Sequence, residues 1–310
     1  MSGTENNRLA ALIEAELARP ADAAAYKVVE AIRAEHGDAV RAVLFYGSCR
    51  RAAQPDGVLD FYILVDDYHS YHRNLFRSLI NRLLPPDVSF LRAGDAAAGH
   101  DFQQGGGAPG IAAKITVISC DQFARRVRPD AIDTTLWARF TQPSSLLYAA
   151  DESVKRQVLA ALMMAVRTAC GWAVKCGPAV SSSALFWGQL FSMTYGAELR
   201  VERGNRPQLI YDNDVDYYDG IFNALELDLP RTRINPARGA WAFRRMAGKV
   251  LSVLRLCKAA FTFKGGVDYL LWKIERHSGA ALTLRPWQYR HPILAAPQLL
   301  YRLLRQGVLR

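Results

Sequence analysis

A short turn between two apolar runs carries residue types that could bind a phosphate and a metal ion. Gly47 and Ser48 follow the apolar residues 43–46, and Asp60 lies near the start of the second run, residues 58–65. A glycine lets backbone N–H groups approach a phosphate, and the serine adds a hydroxyl donor. An aspartate is a hard oxygen ligand for the Mg²⁺ that holds triphosphate oxygens. The pattern predicts strand, turn, loop and strand, with Asp60 facing the turn.

The carboxylates near Asp60 do not form a complete metal-binding pair. A second carboxylate two residues later would share the strand face of Asp60, but that position is Tyr62. Asp66 would lie on the same face of the strand as Asp60, but six residues at ~3.3 Å each place it about 20 Å from Asp60. A glycine and serine after a strand are also common without any function. From these residues alone, a nucleotide-binding site and a structural turn both remain open.

Other residues could contact an anionic substrate. Lys114 lies near the start of a predicted third strand, where its ammonium group could pair with triphosphate oxygens. Arg139 and Arg200 are expected in a cleft between domains, because the guanidinium fork suits a phosphomonoester. His72 is a further candidate for contact with the substrate phosphate. Asp121, at the end of the third strand, is expected to cap a helix.

Periodicity predicts an α+β fold in two parts. Residues 1–150 are expected to form a domain with a short mixed sheet and helices, and residues 151–230 a mainly helical domain. The glycine-rich residues 101–110 are expected to be a loop or a flap over a ligand. Apolar residues at helical spacing predict two helices within residues 7–35 and single helices over 68–84, 154–174, 184–199 and 212–227.

Composition limits the class of protein. Of the 310 residues, 50% are hydrophobic, which is enough for a substantial core. The five cysteines are scattered without a Cys-x-x-Cys pair, so we expect neither a zinc site nor a disulfide framework, and a reducing, cytoplasmic compartment. The first 25 residues contain four acidic side chains and lack both an apolar segment and an arginine-rich pattern. We therefore expect no secretion or import signal.

The C-terminal residues 231–310 differ from the rest in charge. They contain 16 Lys and Arg but only Asp268 and Glu275, a net charge of +14, whereas residues 1–230 carry −4. Aromatic and leucine side chains are interleaved with the cations, which is typical of a basic amphipathic region that lies on an anionic membrane surface. A nucleic-acid partner and an intramolecular or solvated face are the alternatives. No nucleic-acid motif is present, so no nucleic acid is expected.

Several motifs, in order, resemble one family. Tyr46-Gly47-Ser48, Leu59-Asp60-Phe61 and Val65-Asp66-Asp67 are followed by Tyr71-His72, Ala138-Arg139 and Tyr195-Gly196-Ala197-Glu198. Their order and spacing are similar to those of the mitochondrial-type phosphatidate cytidylyltransferases, the translocator assembly and maintenance family, over about residues 40 to 225. That family also has an apolar residue two positions after its aspartate. It shows Gly-Asp where this chain has Ala197-Glu198.

The resemblance implies a nucleotidyltransferase fold, a winged-helix-like second domain, and the reaction of CTP with phosphatidate. Asp60 would be the Mg²⁺ ligand and, with Lys114, a catalytic residue. The residues expected to contact the nucleotide are Gly47, Ser48, Lys114 and Arg139. The lipid phosphate would contact His72 and Arg200. Independently of the resemblance, the scattered cysteines, the N-terminal composition and the basic C-terminal region predict a cytoplasmic protein that is peripheral on the inner face of a membrane. Alternatives are a nucleotidyltransferase acting on RNA or a small soluble acceptor, and a catalytically inactive scaffold that binds nucleotide or membrane.

Overall fold

A computed structural model describes residues 3–51, 58–93, 111–177, 182–198, 206–227, 237–262, 284–290 and 298. Within those residues the fold is α+β and contains one five-stranded mixed sheet, as the sequence predicts for the fold class. The strands are β1 (Val40–Tyr46), β2 (Leu59–Val65), β3 (Asp87–Ala93), β4 (Ile111–Ser119) and β5 (Ser145–Ala149).

Along the chain, helices precede, separate and follow the strands. The helices before β2 are α1 (Gly3–Leu17), α2 (Ala23–His36) and α3 (Ser48–Arg51). Between β2 and β5 lie α4 (Tyr68–His72), α5 (Leu75–Leu83), α6 (Cys120–Arg126) and α7 (Thr135–Arg139). After β5 come α8 (Glu152–Cys176), α9 (Ser183–Tyr195), α10 (Arg206–Asn213), α11 (Val215–Ala224), α12 (Arg238–Thr262) and α13 (Pro286–Arg290).

The sheet has the order β3-β4-β2-β1-β5. β1 pairs antiparallel with β2 and β5, β2 pairs parallel with β4, and β3 pairs antiparallel with β4. The strands predicted from apolar runs, β1, β2 and β4, are confirmed as the three central strands. The edge strands β3 and β5 were not predicted. Polar residues such as Asp87 and Ser89 interrupt the apolar pattern of β3, and β5 is only five residues long.

Each face of the sheet has its own apolar core. Phe61 and Ile63 of β2 pack with α2 on one face, and Tyr62 and Leu64 pack on the other face with α1, α8, α9 and α11. This second core is continuous from Leu9 in α1 to the helices after β5. The sheet and the helical residues 151–227 therefore share one core, and the residues described in that range are helices and turns without a strand.

Two local predictions are wrong. Residues 68–84 form two helices, because Arg73 adopts a left-handed conformation with φ 50° and Asn74 begins α5 by accepting the N–H of Arg77. The N-cap of α6 is Ser119, whose hydroxyl accepts from Gln122 N at 3.3 Å. Asp121 lies within the first turn of that helix instead, where an acidic side chain still complements the helix dipole.

α8 confirms the predicted core helix. Eleven of its side chains are buried, and the Thr168 hydroxyl donates to the Val127 carbonyl at 2.7 Å. By length and composition it is the one helix among the described residues that could cross a membrane, but 56% of its apolar window is buried inside the protein. The core helix of a soluble protein passes the same test.

The N-terminal half of α12 is attached to the rest of the fold through Arg244. Its guanidinium lies 4.0 Å from the centre of the Trp172 ring and donates to the carbonyls of Ala131 (3.2 Å) and Pro129 (3.3 Å). The arginine is buried, and Trp241 packs beside Trp172 at 5.9 Å between ring centres. A cation of the basic C-terminal region thus serves an intramolecular contact.

The C-terminal half of α12 is attached through Arg255 and Lys258. Arg255 pairs with the buried carboxylate of Asp133 and donates to the Pro85 carbonyl at 2.8 Å. Lys258 donates to the Leu84 carbonyl at 2.9 Å and lies 3.4 Å from the buried carboxylate of Asp87. Burial lowers the pKa of Lys258 to about 8, against the attraction of Asp87. Residues 237–262 are therefore part of the fold, which supports the intramolecular alternative for part of the basic region.

Asp87→Ala should destabilise the fold strongly. The carboxylate is buried, and its removal would leave Lys258 and Arg77, 2.8 Å away, without their counter-charge. We expect a loss of about 3–5 kcal/mol in the free energy of unfolding, measured by urea denaturation. Asp121→Ala is the matched control, since it removes only an exposed pair with Arg125. Equal losses in the two variants would contradict the role given to Asp87.

Candidate functional site

The turn after β1 packs directly against the Asp60 carboxylate. Gly47 has φ 88°, a conformation that favours glycine, and a Cβ atom built there would lie 3.0 Å from Asp60 Oδ2. Ser48 follows at the start of α3 and is exposed. The sequence prediction that glycine, serine and aspartate meet at one end of β1 and β2 therefore agrees with the geometry.

α3 is held in place by Arg50, which sequence reasoning missed. Its guanidinium donates to the Ser145 hydroxyl at 2.9 Å and to the Glu16 carbonyl at 3.1 Å, and it also pairs with the Glu16 carboxylate. Cys49 donates to the Val58 carbonyl at 3.4 Å, just before β2. These contacts fix the turn relative to α1, β2 and β5. Their partners are up to 95 residues apart in sequence, so no local pattern reveals them.

Lys114 stands next to Asp60 across the parallel pair of strands. The two residues are register partners on β2 and β4, and Lys114 Nζ lies 3.7 Å from Asp60 Oδ1. Both side chains remain accessible, at 31% and 28% exposure. The structure thus brings together the two predicted catalytic residues, an ammonium and a carboxylate that can both reach a ligand.

Arg139, at the end of α7, lies next to Tyr46, the register partner of Asp60. Its guanidinium is 5.2 Å from the centre of the Tyr46 ring. Burial lowers the pKa of Arg139, but Tyr46, Tyr62, Glu198 and Asp60 together raise it by more, so that the net shift is upward. The guanidinium therefore stays charged. It provides a fixed cation on the same side of the sheet as Asp60.

Two buried hydroxyls on this face of the sheet are additional site residues. Tyr46 is the register partner of Asp60, and Thr116 follows Lys114 by two residues, so both share the face of the candidate site. Neither hydroxyl makes a hydrogen bond of good geometry within the part of the chain that the structure describes, although Thr116 and Arg139 lie close enough to the Tyr46 hydroxyl to lower its pKa. Burial raises the pKa of Tyr46 to about 12, partly opposed by Arg139. Such groups usually bind a water or a ligand. Strand parity relative to Asp60 is the sequence signal that could have identified them.

Tyr62 occupies the position where a second carboxylate would stand. Its ring is buried, 5.0 Å from Phe140 in an edge-on contact and 5.5 Å from Tyr46. The described residues contain no group of three His, Cys, Asp or Glu side chains that could hold a metal. Mg²⁺ that arrives with a nucleotide needs only one or two protein carboxylates, because phosphate and water complete its shell. Asp60 fits that role.

The remaining predicted residues lie elsewhere. His72 is in a separate buried cluster, where Nε2 faces Asn81 Nδ2 at 3.1 Å and lies 3.9 Å from Asp87. Burial lowers the pKa of His72 to about 4, so the ring is neutral at pH 7 and offers no charge to a phosphate. Its position does not bring it next to Asp60. Arg200 and the loop at 101–110 lie outside the described residues.

No protein-family model matches the chain, and neither does any curated protein. The fold and the side chains around Asp60 are therefore the features from which function is inferred. They define an α+β protein with a mixed five-stranded sheet. At one end of its central strands lie a glycine turn with positive φ, an accessible Asp60–Lys114 pair and the half-buried cation of Arg139. This arrangement suits a phosphate-bearing ligand.

Gly47→Ala should destabilise the fold by about 1–3 kcal/mol, because alanine strains the positive φ and its Cβ meets the Asp60 carboxylate. Gly171→Ala is the control. Gly171 lies inside α8, and an added Cβ meets nothing within 4 Å, so this change should raise stability by up to about 1 kcal/mol. Urea denaturation measures both values. A stabilising Gly47→Ala change would contradict the requirement for glycine in this turn.

Acid should destabilise the fold through His72. Its folded-state pKa of about 4 lies below the ordinary value of 6.5. As the pH falls between those values the unfolded chain binds a proton that the folded chain does not, so folding stability falls, by on the order of 2 kcal/mol at pH 5. His72→Gln should reduce this fall in urea titrations at pH 7 and pH 5. His69→Gln, on the exposed side of α4, should leave it unchanged, and identical pH dependence in all three proteins would refute the assignment.

Proposed function

We propose that this protein transfers a cytidylyl group from CTP to phosphatidate, forming CDP-diacylglycerol and pyrophosphate. The observation that carries the proposal is the contact of the Gly47 turn with Asp60, beside Lys114, at one end of β1, β2 and β4. Two antiparallel strands joined through a glycine-serine turn, with the second strand parallel to a third, support a nucleotidyltransferase fold. The choice of CTP and phosphatidate rests on the family resemblance of the motifs.

The proposed reaction gives roles to Ser48, Asp60, Lys114 and Arg139. Ser48 and the backbone of the turn would bind the β and γ phosphates, and Lys114 and Arg139 would stabilise charge on the triphosphate. Asp60 would hold Mg²⁺, which orients the triphosphate and neutralises developing charge. An oxygen of the lipid phosphate attacks the α-phosphorus, the bond to the β-phosphate oxygen breaks, and pyrophosphate leaves. The attacking phosphate is already ionised, so the site needs no strong base.

The acceptor implies an anionic membrane surface as a partner. Phosphatidate resides in a bilayer, and α12 carries exposed cations, Arg245 and Lys249, beside exposed apolar side chains. We propose a cytoplasmic protein that is peripheral on the inner face of a membrane and does not act on nucleic acid.

One experiment distinguishes the proposed reaction from its alternatives. Purified full-length protein is incubated with Mg²⁺ and labelled CTP, ATP or GTP, and with phosphatidate vesicles, RNA or an aminoglycoside as acceptor. The proposal requires label from CTP in a lipid product, with pyrophosphate released. Labelled RNA or aminoglycoside, or equal use of ATP, would indicate a different nucleotidyltransferase. Nucleotide binding without turnover would indicate the inactive scaffold.

Asp60→Ala should lower turnover by roughly a hundredfold or more, since loss of a Mg²⁺ ligand removes several kcal/mol of charge stabilisation. Asp66→Ala is the matched control, because Asp66 is an exposed aspartate just beyond the other end of the same strand and should leave activity unchanged. Ser48→Ala should have a milder effect, since the backbone donors remain. Initial rates with labelled CTP and phosphatidate measure all three. Near-native turnover of Asp60→Ala would eliminate the proposed site.

A further inference from the structure

The helix α5 has its apolar side chains facing solvent. Leu75, Phe76, Leu79 and Leu83 recur at helical spacing, and each is between 56% and 76% exposed. A surface helix of a globular protein normally presents the opposite arrangement, with its apolar stripe toward the core. An exposed apolar stripe of this kind marks an interaction site.

Polar contacts on the inner side of α5 fix this orientation. The Ser78 hydroxyl donates to the Tyr68 carbonyl at 3.0 Å, and Arg77 Nε donates to the buried Asp87 carboxylate at 2.8 Å. Asn81 is 1% exposed and contacts His72. Turning the apolar stripe inward would break these contacts and leave Asp87 without Arg77. The exposure of the stripe is therefore built into the fold.

α12 extends the same type of surface. Arg255 and Lys258 of α12 bind the carbonyls of Leu84, Pro85 and Pro86, directly after α5, so the two helices are tethered to each other. With its cations turned inward at these points, α12 also exposes apolar side chains at helical spacing: Phe243, Met246, Val250, Val253 and Leu254.

The charges around these stripes indicate what covers them. The exposed cations are Arg82 on α5 and Arg238, Arg245 and Lys249 on α12, and neither helix contains an acidic residue. A symmetric second copy would place these cations against one another, which is unfavourable. A bilayer with anionic lipid suits both features, since apolar side chains enter the headgroup boundary while cations meet lipid charge.

We propose that α5 inserts Leu75, Phe76, Leu79 and Leu83 into the boundary region of an anionic membrane, with the exposed stripe of α12 extending the contact. This inference specifies which helix contacts the proposed membrane partner, and it rests on the proposed function for the presence of a lipid acceptor. It assigns insertion to a helix between β2 and β3, which is outside the basic residues 231–310. Because α5 follows the end of β2 opposite to Asp60, it would attach the sheet domain to the membrane at a distance from the candidate site.

Full-length protein carrying Phe76→Glu with Leu79→Glu is tested by cosedimentation with phosphatidylcholine vesicles, with and without phosphatidylglycerol. We expect the wild-type protein to bind anionic vesicles, and the double variant to bind them roughly a hundredfold more weakly, about tenfold for each apolar side chain lost from the boundary. Leu185→Glu is the control, because Leu185 on α9 is similarly exposed at 63% and should bind as the wild type does. If the two glutamates lower the urea midpoint of the protein, Leu79→Gln replaces the double variant in the comparison of vesicle binding with the wild type.

Unchanged vesicle binding by the double variant overturns the inference. The inference is also wrong if the wild-type protein is a dimer, the double variant is a monomer and vesicle binding persists. In that case α5 would be a contact between two copies of the chain. Binding of neutral vesicles as strong as that of anionic ones also contradicts it. Turnover on short-chain, water-soluble phosphatidate should survive in the variant. If the wild type shows no turnover and the variant still loses vesicle binding, the proposed reaction fails and the membrane surface stands.

Discussion

The alternation of side chains along β2 is the constraint on which the candidate site depends. Both faces of this strand are buried, so Phe61 and Ile63 must face α2 while Tyr62 and Leu64 face α8. Asp60 has the parity of the second face and escapes burial only because it lies near the strand end. A register shift of one residue would turn Asp60 away from Lys114 and expose both apolar sets to the wrong neighbours. The position of the carboxylate is thus fixed by the core rather than by the loop before it.

A second constraint is the inward orientation of charge on α5 and α12. Asp87 and Asp133 are buried, and their counter-ions come from helices whose apolar residues consequently face outward. Buried ion pairs add little net stability, because desolvation offsets their attraction, but a missing partner is costly. Their effect is to specify one docking position for α12. The exposed apolar stripes are therefore the consequence of a charge arrangement in the interior, and this links the core of the protein to its proposed membrane surface.

The sequence predicts those features that depend on short-range periodicity. Apolar runs gave the three central strands, and helical spacing gave α1, α2, α8, α9 and α11. The approach of the Gly47 turn to Asp60 followed from turn chemistry and strand ends, whereas the pairing of Lys114 with Asp60 depends on the register of β2 and β4, which the spacing does not give. The break at Arg73 was missed because a left-handed arginine has no compositional signal. Arg50 with Glu16 and Lys258 with Asp87 were missed for a different reason: their partners are far apart in sequence, and only the tertiary fold pairs them.

The electrostatic balance of the site bears on how a nucleotide would enter it. Lys114 pairs with Asp60, and the charge of Arg139 is supported by Glu198 as well as Asp60, so two cations already face two carboxylates. A triphosphate alone would add several negative charges to a partly buried region and compete with those carboxylates for the same cations. A divalent cation carried with the nucleotide removes this competition, because it lets Asp60 act as a ligand instead of a rival acceptor. With only one such carboxylate on β2 and Tyr62 beside it, the nucleotide itself must supply most of the metal's coordination shell. We therefore propose that such a site would bind the metal–nucleotide complex in preference to either component alone.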